Sequence, residues 1–464
     1  MENEEFIGRD RQLKMLQDAW DGPSSAFIPV YGRRRVGKSE LILHFLGGKP
    51  AVYFLGKRAP GGLQVREFLE IAARFLDEPL LATYPARGWG DALDAVYERK
   101  PSGSKIVIAL DEFQWIAEAS PELPSLLQER WDRKWQRSGD IFLILCGSYV
   151  GFMEREVLGR RSPLFGRRTG QILLRPFDYR EAALFHPNYS LIDRARTYFL
   201  CGGIPYYLKA FSPLRSFEMN LASQLLDEHE ILYHEPEFLL REELRDIENY
   251  YAILLAIAGG EKTSQGISRI TGVARGSLPY YLKQLVELGY VEKRYPLTGG
   301  KKNLRQVRYD LSDPLLRFWF RFVFPDQSQV RMMGPEKAFR QLVKPNLAAY
   351  LGRCFERLCR EALPFLYARE GVEAGFEIGE YWSAATQIDL VGVRRDGWID
   401  LGECKWGTVR SAASVERELE AKAVQYPNPQ NATLARRIFC RGSRPAGADL
   451  DAFRWHTLED LYAS

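Results

Sequence analysis

Residues 32–39, Gly32-Arg33-Arg34-Arg35-Val36-Gly37-Lys38-Ser39, fit G-x-x-x-x-G-K-[ST]. Glycines at these places let a loop wrap closely around phosphates, with backbone N–H groups and a helix N-terminus facing the anion. Lys38 is placed to reach the β- and γ-phosphates, and the Ser39 hydroxyl to bind Mg2+. The partner of such a loop is an apolar strand ending in acid. Lys105–Leu110, followed by Asp111 and Glu112, supplies it. Asp111 is expected to hold Mg2+, and Glu112 to polarise the attacking water. A second apolar run, Ile141–Cys146, ends in Gly147-Ser148, which makes Ser148 a candidate γ-phosphate sensor. The run GRRSPLFGRRTG holds Arg160, Arg161, Arg167 and Arg168. An arginine offered to a neighbouring subunit's γ-phosphate accelerates hydrolysis. Arg167 is the first choice and Arg168 the next, and the competing explanation is a solvated basic loop.

A second set of carboxylates lies near the C-terminus. Asp389 falls in the strand-like TQIDLV, and Glu403-Cys404-Lys405 follows at short spacing. In Glu-x-Lys on a strand, the period of two puts both side chains on one face. A hairpin partner can bring Asp389 alongside. Asp389 and Glu403 are then candidate ligands for a divalent ion with the Cys404 carbonyl, and Lys405 a group to orient or deprotonate water. Glu356, on the helical GRCFERLCRE, can add a carboxylate. Two exposed strand residues would show the same Glu-x-Lys pattern.

Between these sets, residues 248–325 have helix–turn–helix lengths followed by an alternating hairpin pattern around Gly299-Gly300. The expected recognition helix, about 275–288, offers Arg275 and Lys283. The expected wing offers Lys293, Arg294, Lys301, Lys302 and Arg305, with Arg308, against Glu292. Recognition helices read the major groove and basic wings rest on phosphate. Winged helices also serve as spacers between proteins, so assembly competes with DNA contact here.

These residues need elements to position them. Residues 1–177 alternate apolar runs (26–32, 51–56, 105–110, 141–147, 171–177) with helical patterns, which implies a parallel sheet covered on both faces. Residues 178–247 read as a helical lid, 248–325 as a winged helix, 326–345 as a connector and 346–464 as an α/β domain. The chain has 464 residues, 46% apolar and 27% charged, which excludes a mostly disordered or collagen-like protein. Lys plus Arg exceed Asp plus Glu by only 64 − 60 = 4, so nucleic acid binding must rest on local clusters. No apolar run reaches the ~18–20 residues of a membrane span, so no membrane partner is expected. The acidic N-terminus lacks a signal-peptide pattern. The six scattered Cys contain no CxxC pair, so a reducing cytoplasm is expected.

FIGRDRQL (Phe6–Leu13), YGRRRVGKSEL, LDEFQW, LILCGS and CGGIPYYL together resemble archaeal-type ATPases of the AAA+/STAND-like P-loop class. The resemblance implies ATP as the nucleotide, the first box near adenine, and Gly202-Gly203-Ile204-Pro205-Tyr206 as a lid motif that brings Pro205 to the site. It also implies a winged helix, a C-terminal nuclease-like domain and a homo-oligomer. The C-terminal set resembles the PD-(D/E)XK fold: Glu356 on a helix, Asp389 on a strand, then Glu403-x-Lys405, with Gln425 where many members carry a Gln. A metal-dependent nuclease (Mg2+ or Mn2+) acting on double-stranded or branched DNA under ATPase control is the expectation. Its rivals are an ATP-dependent DNA-binding switch and an oligomeric scaffold with an inert C-terminal domain.

Overall fold

The computed structural model describes residues 6–300 and 306–463. Lys301, Lys302 and Arg305 lie outside the described residues. The chain forms two compact units. One comprises residues up to Pro176 together with Ile204–Tyr206, and the other Phe177–Gly203 and Tyr207 onward.

The first unit is built on five parallel strands: β1 (Ala26–Tyr31), β2 (Ala51–Leu55), β3 (Ile106–Asp111), β4 (Ile141–Gly147) and β5 (Ile172–Leu173). Their order is β2-β3-β4-β1-β5. Every residue of β1, β3 and β4 is buried, as continuous apolar runs demand when helices cover both faces. Helix α1 (Asp10–Asp21) precedes β1, and α2 (Lys38–Leu46) follows it directly. Helices α3 (Gly61–Phe75) and α4 (Trp89–Glu98) pack Phe68 and Trp89 against Phe54 of β2. Strand β5 is shorter than QILLRPF suggests. It pairs only through Ile172 and Leu173, and Pro176 cannot donate to a ladder.

The second unit is helical at first. Helix α5 (Leu191–Cys201) is followed, after intervening helices at Phe217–Leu226 and Ile231–Glu243, by α6 (Ile247–Ala258), α7 (Ser264–Thr271) and α8 (Leu278–Glu287), then the short hairpin β6 (Val291–Arg294) and β7 (Arg308–Leu311). Thr263 caps α7 through its side chain, and Gly272 ends that helix in the left-handed conformation, which sets the turn before α8. Residues 326–345 are largely helical rather than an open connector, and they run into α9 (Lys344–Arg369).

After α9 come β8 (Phe376–Trp382), β9 (Gln387–Arg394) and β10 (Trp398–Lys405), then α10 (Ala412–Val424), β11 (Thr433–Cys440), β12 (Phe453–Thr457) and α11 (Leu458–Tyr462). The sheet order is β12-β11-β10-β9-β8, with β8–β9–β10 antiparallel and β10–β11–β12 parallel. Arg437 is fully buried in this domain, where the carboxylates of Asp400 (2.5 Å) and Glu370 (2.6 Å) neutralise it.

Candidate functional sites

The phosphate loop connects β1 to α2. Gly32 has φ 153°, and a Cβ there would lie 2.2 Å from the Leu174 carbonyl oxygen, so no side chain fits. Gly37 caps α2 with φ 88°, a left-handed conformation that costs glycine little. Lys38 is buried and its ammonium donates to the Arg33 carbonyl at 3.0 Å, across the loop. Burial lowers its pKa, while nearby Cys146, Glu112 and Asp111 pull it back up. The guanidinium of Arg9, from the N-terminal box, donates to Val36 O at 3.0 Å, and Phe6 stacks on His44 at 4.3 Å. Pro205 lies beside the loop, 3.7 Å from where a Gly37 Cβ would stand, and Arg35 stacks on the Tyr206 ring at 4.3 Å.

The acid end of β3 meets this loop. Ser39 Oγ donates to Asp111 Oδ2 at 2.5 Å, and the Tyr53 hydroxyl donates to the same oxygen at 2.6 Å. Burial and Asp111 push the Tyr53 phenol well above its ordinary range. Glu112 sits at φ 48°, a left-handed conformation that costs a non-glycine residue on the order of 1 kcal/mol. Its carboxylate accepts from Ser148 Oγ at 2.7 Å and from Gln114 Nε2, while Gln114 also donates to Ser148 at 3.3 Å. The three form one closed network at the ends of β3 and β4. Tyr53 and Gln114 were not singled out in the sequence. Gln114 follows the acid pair by two residues, and Tyr53 ends up beside Asp111 only because β2 and β3 are neighbours.

Two required glycines, one buried lysine and a hydroxyl–carboxylate pair fit a nucleotide phosphate chain with Mg2+, whose preferred donors are oxygens. When bound, Mg2+ would neutralise charge on the phosphates; Ser39 and Asp111 would hold it. Arg167 is engaged elsewhere: its guanidinium forms a fork on Asp132 at 2.7 and 2.8 Å and also donates to Pro163 O and Phe165 O. To serve a phosphate it must break that pair. Arg160, Arg161 and Arg168 are exposed.

The C-terminal carboxylates come together by strand register. β9 and β10 pair through Gly402 and Leu390, and one further step brings Glu403 alongside Asp389. The Cys404 N–H donates to Asp389 Oδ2 at 3.1 Å. Burial and the neighbouring Glu356 push Asp389 up to about 6. Burial and Asp389 likewise raise Glu403. Glu356 on α9 is raised chiefly by burial, and its carboxylate makes no hydrogen bond or ion pair among the described residues.

Lys405 lies on the same face as Glu403, as the spacing predicts, and donates to its Oε1 at 2.7 Å. Lys422 of α10 takes the other oxygen at 2.7 Å, and Glu418 joins both lysines at 2.9 and 3.0 Å. The two ammoniums overcome burial and hold Glu418 down to about 2. Lys422 and Glu418 were missed, although the alternating charges of 414–425 carry them at i, i+4 spacing. Gln425 is exposed at the C-cap of α10 and makes no side-chain hydrogen bond to this cluster among the described residues. Among the described residues no three His, Cys, Asp or Glu side chains are arranged to hold a metal ion. Both Glu403 oxygens accept from lysines, so a divalent ion on the expected ligands Glu356, Asp389 and Glu403 would have to displace them.

The winged helix requires one correction. Arg275, Lys283 and Lys293 are exposed, but Arg294 is not available to nucleic acid. Its guanidinium pairs with Glu380 at 2.7 Å and Asp310 at 2.8 Å, and Arg357 pairs with Glu292 and Asp310 beside it. The cause is the course of the chain after β6. The Leu297 N–H donates to Glu380 O at 2.7 Å, the Tyr426 hydroxyl donates to Leu297 O at 3.2 Å, and the Leu297 side chain joins the core with Ile388 and Ile399. The root of the wing is docked on the edge of the C-terminal sheet instead of projecting. Arg308 stacks on Trp382 at 4.4 Å, and the Tyr281 hydroxyl accepts from Asn249.

Three segments of the chain match known protein families. Residues 6–211 match an ATPase domain found predominantly in Archaea. Residues 251–293 match the bacterial regulatory protein, arsR family, and 319–417 a family of archaeal and bacterial proteins of unknown function. An uncharacterised protein of Methanocaldococcus jannaschii is 29% identical over 423 residues, covering 90% of this chain and 92% of its own. An uncharacterised ATP-binding protein of the same organism is 43% identical over 44 residues, 10% of this chain and 75% of its own. Among solved structures, a Walker-type ATPase of Pyrococcus abyssi shares 19% identity over 69% of this chain and 97% of its own, with TM-score 0.48. The Aeropyrum pernix ORC2 protein shares 16% over 71% and 97%, with TM-score 0.44. By family match, residues 6–211 are an archaeal-type ATPase domain and residues 251–293 a helix–turn–helix domain. Among the described residues no helix is long and apolar enough to cross a membrane.

Proposed function

We propose that the chain is an ATP-binding and ATP-hydrolysing protein of AAA+ type whose second unit acts on DNA. The observation that carries this is the phosphate loop: Gly32, where no Cβ fits, and Gly37, in a left-handed conformation, with Lys38, Ser39 and Asp111 grouped around it. Lys38 is assigned to the β/γ-phosphates, Glu112 to orienting the attacking water and Ser148 to sensing the γ-phosphate through Glu112. Pro205 belongs to the nucleotide site, and Arg168 is the better placed arginine to serve a neighbouring subunit in a homo-oligomer. Arg275, Lys283 and Lys293 are assigned to phosphate and groove contacts with duplex DNA. Lys301, Lys302 and Arg305 carry the wing's remaining charge.

A PD-(D/E)XK nuclease-like assignment for the C-terminal domain is supported by its helix–three strands–helix–strand order and by the gathering of Asp389, Glu403 and Lys405. The paired lysines on Glu403 favour a second possibility, that this domain grips DNA without cutting it, under nucleotide control. Supercoiled, linear and branched DNA incubated with Mg2+ or Mn2+, with and without ATP, decides between them. Cutting by wild type that vanishes in Glu403→Ala establishes the nuclease. ATP hydrolysis with DNA binding and no cutting establishes the switch.

A further inference from the structure

The second unit contains a cavity of about 300 Å3 between the winged helix and α9, with Glu380 and Gln387 of the C-terminal sheet at its wall. Its charge is unbalanced. Three of its arginines are engaged with acids: Arg294 and Arg357 with Asp310, and Arg294 and Arg360 with Glu380. Four further cations line it without an ion pair among the described residues: Lys262, Arg317, Arg321 and Arg353, of which Lys262 and Arg317 feel the charge of Asp310 at longer range. Arg317 donates to the Leu311 and Ser312 carbonyls and to Cys354 Sγ. Lys262 makes no ion pair, and burial lowers its pKa. Against these four stands one unpaired acid, Glu356.

Lys262 and Arg317 are half-buried, where like charges repel more strongly because screening by water is reduced, and Arg321 and Arg353 stand exposed at the mouth. An anion is the natural counter-charge, and guanidinium groups match phosphate geometry in particular. We propose that this cavity is a phosphate-binding subsite, which in the DNA-acting protein inferred above receives a backbone phosphodiester running from the winged helix toward Asp389. Glu356, in the same wall, keeps the cavity selective by repelling a phosphate that enters too deeply toward the acid pair. The same chemistry would also take free pyrophosphate, so two probes are needed.

The test uses the full chain without nucleotide and a short labelled duplex titrated at several salt concentrations. Arg353→Glu and Lys262→Gln should each weaken binding about tenfold and reduce the salt slope by about one, as loss of one phosphate contact does. Arg340→Glu, an exposed change outside the cavity, should do neither. The second arm measures the melting shift produced by pyrophosphate in a Lys38→Ala background, which weakens the P-loop as a competing site. A shift lost on adding Arg353→Glu supports the subsite, with free phosphate as its ligand if DNA affinity is unchanged. Loss of DNA affinity alone supports a phosphodiester ligand. If wild type binds no DNA, the DNA-acting proposal fails while the pyrophosphate arm still judges the cavity. Unchanged DNA affinity and an unchanged pyrophosphate shift in both cavity variants overturn the subsite.

Discussion

The phosphate loop and the C-terminal acid cluster solve opposite problems. The loop is made of backbone: its character comes from Gly32, where a Cβ is excluded, from the left-handed Gly37 and from N–H groups at a helix start, with a single buried ammonium. It awaits negative charge. The C-terminal cluster is made of side chains from three elements, and its charges already cancel one another, Glu403 between Lys405 and Lys422 and both of these on Glu418. The loop is poised for a ligand, whereas the cluster must exchange partners before it can receive one. A site can therefore be complete in residue types and still be closed in geometry.

The sharpest way to break this contrast is Lys38→Ala. Loss of the only ammonium across the loop should lower ATP hydrolysis by on the order of 100-fold, measured as phosphate release. Wild-type turnover would show that the loop is not the nucleotide site. Next in size is Glu403→Ala, which leaves Lys405 and Lys422 facing each other with Glu418 as their shared counter-charge. Breaking a largely buried pair by removing one partner should cost about 2 kcal/mol of stability in urea denaturation. An unchanged midpoint would mean that the cluster is less closed than its distances indicate.

A pH experiment sharpens the electrostatic half. Glu361, on α9, is pushed up to about 7 by burial, and the Tyr198 hydroxyl donates to both of its oxygens at 2.8 Å. An acid raised on folding contributes stability that is fully present below its unfolded value, near 4.5, and is lost as pH rises through about 7. Glu361→Gln should therefore be more stable than wild type at pH 8, by on the order of 2 kcal/mol. The advantage should vanish toward pH 4.5, as read by urea midpoints across that range. The smallest effect is expected for Lys283→Ala. This surface cation pairs with Glu287 at 3.6 Å and with no other acid among the described residues, and its loss should weaken DNA binding several-fold at every sequence, reducing the salt slope by about one.

How far the sequence reaches follows the same contrast. The nucleotide loop was legible because its signal is contiguous: eight residues, an apolar strand before them and a helix after. The parallel strands were legible because burial on both faces leaves an unbroken apolar run. Strand β5 was overestimated because apolar character continues past the last residue that pairs. Glu403 and Lys405 could be placed on one face from their spacing alone. Lys422 could not, since nothing local says which turn of α10 faces β10. Arg294 misled for a related reason. Its basic neighbourhood suggests an exposed wing, while its actual partners, Glu380 and Asp310, lie 86 and 16 residues away along the chain. Charge clusters state what a surface could bind, but only the fold states what they have already bound.

The docked wing root bears on inheritance. Leu297 lends its side chain to the core of the C-terminal sheet, and its backbone covers part of the edge strand β8. Recombination within residues 326–345 would separate the two domains at the most obvious seam in the sequence, yet it would deliver a sheet with a missing core residue and an exposed edge, a surface prone to adventitious pairing. The winged helix and the C-terminal domain are thus expected to be inherited together.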